Sequence, residues 1–181
     1  FNQKPWTSIA YAFVDDLTGI FHILFNMLVF YWFGRLFVED LGSDKLVAVY
    51  VLGALAGGIA FLLAYNFVPF YQQNIPSGGM VGASAAVNAV VVACATLMPN
   101  YTFYLLFLGP VRIKYIAAFF IALSFIGTVG SNAGGNVAHL GGALIGYLYI
   151  RQLQAGVNWG GWITAVLDWL KRVFKPGARV K

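Results

Sequence analysis

The chain has two histidines, and both stand at the edge of apolar segments, where a polar side chain is costly. His22 and Asn26 are four residues apart, so they share one face of a helix. Ser84 follows the glycine-rich run 76–82 and opens a second apolar segment, and His139 opens a third. Polar groups immersed in a membrane are functional candidates by default. An imidazole within hydrogen-bond reach of a serine hydroxyl activates it, because the ring takes the proton as the oxygen attacks a carbonyl. The acids Asp15, Asp16, Glu39, Asp40, Asp44 and Asp168 all lie away from the segment of His139, which favours a Ser84/His139 dyad over a triad. His22 and Asn26, together with the backbone N–H groups of Ala83 and Ser84 where the helix starts, are placed to donate to the oxyanion of a tetrahedral intermediate.

The elements carrying these residues follow from composition. Of 181 residues, 60% are hydrophobic, 17% aromatic and only 9% charged, against roughly a quarter charged in a soluble domain. So little polar surface excludes a soluble enzyme and a disordered tail. The net charge of +5 is not gathered into an aromatic-interleaved patch, which argues against a nucleic-acid partner. A single cysteine, Cys94, gives neither a disulfide framework nor a cysteine-rich metal site.

Five apolar spans separated by short polar or glycine- and proline-rich breaks predict an all-α, polytopic transmembrane bundle: 20–38, 46–68, 84–98, 113–129 and 137–153. Segment 159–174 has its large apolar residues at helical spacing and reads as an amphipathic helix in the membrane interface. The expected division is a membrane domain over 1–155 and an amphipathic helix with basic tail over 156–181. Alternate threading puts Arg35, Lys45, Arg112, Lys114, Arg151, Lys171, Arg172, Lys175, Arg179 and Lys181 on one side, with Lys4 alone opposite. By the positive-inside rule that side, with the C-terminus, is cytoplasmic. Trp6, Tyr11 and Trp159 read as interface anchors, and Asp15 and Asp16 as solvated loop acids.

The spans that begin with His22 and Asn26, with Ser84 and with His139 then run in one direction, so their polar residues lie at similar depth. From Ser84 to the breaker Pro99 the helix is about 22 Å long against a hydrocarbon core of about 30 Å. Its start is therefore expected some 8 Å below the outer boundary, with the preceding loop dipping in to line a cavity. Gly142 and Gly146 make a small-xxx-small face one turn past His139, and Ala85, Ala89 and Ala93 make another past Ser84. Small faces let two backbones approach closely. Gly130, Gly134 and Gly135 are expected in an outer loop, as a flexible lid or equally a plain connector, and Phe119, Phe120 and Phe125 in contact with lipid or, as the lesser reading, at a lateral opening between spans.

The run His22-Ile23-Leu24-Phe25-Asn26, the element Gly82-Ala83-Ser84-Ala85 and the run Ala138-His139-Leu140-Gly141-Gly142 resemble the rhomboid intramembrane serine proteases in order and in placement on the spans. The resemblance covers the chain to about residue 153. It implies Ser84 as nucleophile, His139 as base, His22 and Asn26 at the oxyanion hole, and a transmembrane protein substrate cut near its outer end. Three departures stand out. Ala85 replaces the glycine that most often follows the serine, and Asn88 replaces a tyrosine that stacks on the histidine in many members. Asn88 is left to hold water or to bond His139. The family core has six spans, so a first helix is expected to precede Phe1 or to be supplied separately.

The function expected is an intramembrane serine endopeptidase in the cell (inner) membrane, needing neither metal nor organic cofactor, with Gly82, Asn88, Gly142 and Gly146 supporting the site. Its partners are a transmembrane substrate and the lipid bilayer, with no nucleic acid. The rivals are an inactive relative that binds transmembrane clients, and a small transporter or channel. The absence of intramembrane carboxylates and of an internal repeat weighs against the last. The ordinary structural roles are a helix N-cap for Ser84 and interhelical hydrogen bonding for His22, Asn26 and His139.

Overall fold

A computed structural model describes residues 20–73, 82–105 and 109–174. Lys4, Trp6, Tyr11, Asp15, Asp16, the run 76–81 and the basic residues Lys175, Arg179 and Lys181 lie outside the described residues. Seven helices and one hairpin are found among those described: α1 (Ile20–Leu41), α2 (Ser43–Phe67), the short α3 (Pro69–Gln72), α4 (Ser84–Leu97), β1 (Thr102–Leu105), β2 (Gly109–Arg112), α5 (Ile113–Gly127), α6 (Ala133–Gln154) and α7 (Gly161–Phe174). α1 and α2 are long and apolar enough to cross a membrane, while α4 and α5 are apolar but shorter.

α4 is the axis of the fold. Its 14 residues rise only about 21 Å. Ala85, Ala86, Val87, Ala89, Val90, Val91, Val92, Ala93 and Cys94 are all buried, the mark of a helix that is apolar all round and enclosed by others. α1, α2, α5 and α6 surround it, and α6 also packs along α2. The small residues set how closely these helices meet. A Cβ on Gly142 would run into the Ala85 carbonyl and one on Gly146 into the Ala89 carbonyl. From α2, a Cβ on Gly53 would collide with the Ala89 side chain.

The Cys94 thiol is fully buried and donates to the Phe33 carbonyl at 3.3 Å. A maleimide should therefore leave the folded protein unmodified and label Cys94 only after unfolding. Labelling of the native protein at the unfolded rate would contradict this packing.

One feature adds to the sequence reading and a second corrects it. The connection before α5 contains an antiparallel hairpin, with Thr102 paired to Arg112 and Leu105 to Gly109. Phe103 of β1 packs on Phe33 of α1, ring centroids 5.1 Å apart. Gly134 and Gly135 lie in the first turn of α6 rather than in a loop. Gly134 is buried against the rings of Phe61 and Tyr65, and that packing outweighs the poor helix propensity of glycine.

α7 turns Ile163 inward and leaves Trp162, Val166, Trp169 and Val173 exposed along one stripe. Lys171 reaches the Asp44 carboxylate at 2.7 Å, a hydrogen bond that holds its ammonium above the ordinary lysine range. An apolar stripe beside Lys171 and Arg172 is the geometry of a helix lying flat on a membrane.

Candidate active site

The chain turns into α4 at Gly82, whose φ of 126° lies in a region L side chains rarely adopt. Ala83 occupies the N-cap position, and no side chain caps this end of the helix. The Ser84 hydroxyl points instead across to α6, where its Oγ lies 2.6 Å from His139 Nε2. Ser84 and His139 are 55 residues apart and are brought together by the Gly142 contact one turn further along α6. A hydroxyl donating to an imidazole at that distance can pass its proton to the ring as the oxygen attacks.

His22 and Asn26 face the same place from α1. Asn26 is buried, and its Nδ2 lies 3.3 Å from His22 Nε2. Asn88 donates to the Ser84 carbonyl at 2.9 Å. That corrects the alternative in which it bonds His139. The imidazole is met instead by a residue the sequence reading missed, Ser124 of α5, whose Oγ lies 3.3 Å from Nδ1. Asn136 was also missed. Its amide donates to the Asn132 carbonyl at 2.8 Å and the Gly127 carbonyl at 3.2 Å, tying the start of α6 to the end of α5. The available signal was in the sequence: a serine inside the apolar run 113–127, and an asparagine three residues before a histidine on one helix.

These side chains line an open hollow of about 280 Å³ at the end of the bundle where α1, α4 and α6 begin and α5 ends. His22, Asn26, Ser84, Asn88, Ser124, Asn136 and His139 supply its polar wall, and Phe25, Phe119 and Phe120 its apolar one. Ser84 brings the start of α4 to the wall of the hollow, and a helix's first turn leaves N–H donors without acceptors of its own. Phe25, Val29, Phe119 and Phe120 also border an apolar groove of about 340 Å³ that runs between α1 and α5 to Phe103 and Leu105 of the hairpin. Phe125 borders neither cavity and is 69% exposed, on the lipid-contact side of the two roles expected of it.

The Rhomboid domain family model matches residues 2–155. The chain belongs to the rhomboid family. It is 29% identical over 157 residues to RHOMBOID-like protein 12, mitochondrial, of Arabidopsis thaliana, covering 81% of this chain and 45% of that protein. It is 33% identical over 138 residues to the presenilin-associated rhomboid-like protein, mitochondrial, of Rattus norvegicus, covering 73% and 34%. With Rhomboid protease GlpG of Haemophilus influenzae it shares 29% identity over 158 residues, covering 82% and 69%. The chain thus spans less than half the length of the Arabidopsis and rat relatives. No solved structure matches it. Rhomboid membership makes this a helical membrane protein, in keeping with its apolar helices.

Proposed function

We propose that this rhomboid protein is an intramembrane serine endopeptidase that cuts transmembrane substrates near the outer membrane boundary through an acyl-enzyme on Ser84. The observation that carries the reading is the 2.6 Å contact of the Ser84 hydroxyl with His139 Nε2 in an open hollow lined by further polar side chains. In the reaction Ser84 Oγ attacks the scissile carbonyl as His139 Nε2 accepts its proton. The oxyanion is received by Asn26 and His22 with the N–H groups at the start of α4, and His139 then protonates the departing amine. Water entering the hollow hydrolyses the acyl-enzyme by the same steps.

A substrate helix must unwind before attack, because each carbonyl in a helix is engaged by its own ladder. Segments with small or helix-breaking residues near the outer boundary are therefore preferred. The apolar groove between α1 and α5 shares Phe25, Val29, Phe119 and Phe120 with the hollow, and the intact part of a substrate helix is proposed to rest there. The excess of basic residues at the opposite end of the bundle supports a cytoplasmic C-terminus and an outward-facing hollow.

Incubating the purified protein with a single-span substrate in detergent and mapping products by mass tests this reading. A cut in the outer part of the span is expected. Capture of the substrate by folded protein with no product would overturn the proposal in favour of an inactive client-binding relative. Asn26→Ala and His22→Ala are each expected to slow turnover by roughly ten- to a thousandfold, the range for loss of an oxyanion donor. Unchanged turnover in both would remove that role from α1.

A further inference from the structure

We infer that Ser124 is a positioning residue for His139, accepting the Nδ1–H of the imidazole so that Nε2 is the lone-pair nitrogen facing Ser84. The inference rests on the hydrolase reading above and adds to it a partner from a third helix. A neutral imidazole has one N–H and one lone pair. For the Ser84 hydroxyl to donate to Nε2, the ring proton must sit on Nδ1, where it needs an acceptor. Ser124 Oγ is the group found there, at 3.3 Å.

Its setting favours that role. Ser124 is 5% exposed and lies in a helix whose other buried side chains, Ile113 and Ala117, are apolar. An immersed hydroxyl of this kind is costly unless bonded. A carboxylate in the same position would fix the tautomer more strongly but would place a charge in hydrocarbon. A neutral hydroxyl fixes it without one. When Ser84 passes its proton to Nε2, the Nδ1–H stays on the ring and keeps donating to Ser124 Oγ, whose lone pair then faces a cation. Ser124 exchanges no proton itself. Ser84 from α4, His139 from α6 and Ser124 from α5 thus form a chain of hydrogen bonds across three helices.

The test compares wild type, Ser124→Ala and Ser124→Thr on a single-span substrate, with the thermal midpoint of each recorded. Ser124→Ala is expected to lower kcat roughly ten- to a hundredfold, below the full effect of losing a general base, with KM within about twofold. Ser124→Thr keeps an acceptor oxygen and is expected to recover most of the lost rate, and all three should melt within a few degrees. Wild-type kcat in Ser124→Ala would overturn the inference, as would equal loss in both variants with a matching fall in midpoint, which is the result of a packing role. Fluorophosphonate labelling of the wild type separates the two levels. An unlabelled, folded wild type overturns the hydrolase reading and this inference with it, whereas a labelled one with unaffected Ser124→Ala overturns this inference alone.

Discussion

Ser84→Ala and His139→Ala are each expected to lower turnover of a single-span substrate by roughly ten-thousandfold or more, with folding unchanged. The Ser84 hydroxyl is the only hydroxyl within reach of His139 Nε2 among the contacts described, at 2.6 Å, so removing it leaves no alternative nucleophile in that place. Removing the imidazole leaves a serine with no base: Asn88 is turned to the Ser84 carbonyl, and His22 is held on α1 beside Asn26. The double variant should be little worse than either single one, because the two groups act as a unit. Substrate cleavage read by gel and by mass checks this. Additive losses would mean that the two residues serve separate steps.

Gly142→Val is expected to lower both stability and rate, and it acts through distance. A side chain at 142 meets the Ala85 carbonyl, which is backbone and has no rotamer by which to yield. α6 must move away from α4, at a cost of about 1–3 kcal/mol for an overpacked contact. The same shift pulls His139 from Ser84, and a displacement of about 1 Å in a reacting pair costs on the order of a hundredfold in rate. The variant should therefore show both a lower thermal midpoint and a turnover loss that persists at temperatures where it is fully folded. Gly130→Ala is the control. Its nearest neighbour to an added Cβ is 3.4 Å away, and it is expected to change stability by no more than about 0.5 kcal/mol. Equal behaviour of the two variants would mean that the close approach of α4 and α6 does not hold the pair together.

The helices were legible because apolar runs of this length admit few other structures. The expected starts at 84 and 113 coincide with those of α4 and α5. The second helix begins at Ser43 rather than 46 because an acid, Asp44, suits a first turn. Glycines misled at the start of α6: Gly134 and Gly135 read as loop, and only their packing partners, Phe61 among them, make them helical. The hairpin was hidden because four-residue strands in an aromatic-rich connection leave no alternation long enough to read, and what holds them is the packing of Phe103 on Phe33.

At the site, His22, Asn26, Ser84 and His139 announced themselves as polar residues at the ends of apolar runs. Ser124 gave only a weaker signal, a single hydroxyl inside the apolar run 113–127 with no spacing that pairs it with His139. It comes to His139 only because α5 and α6 fold back on each other, with Asn136 donating to the Gly127 carbonyl at the turn. Asn88 was visible, but its partner was not: a side chain bonding back to the carbonyl one turn earlier satisfies itself within its own helix.

The most direct test of the central claim is the intact mass and adduct position of the purified, folded protein after reaction with a fluorophosphonate. One adduct, on Ser84, absent in His139→Ala, is the result expected. No adduct, or one on another residue with Ser84 unmodified, would contradict an activated serine at the head of α4.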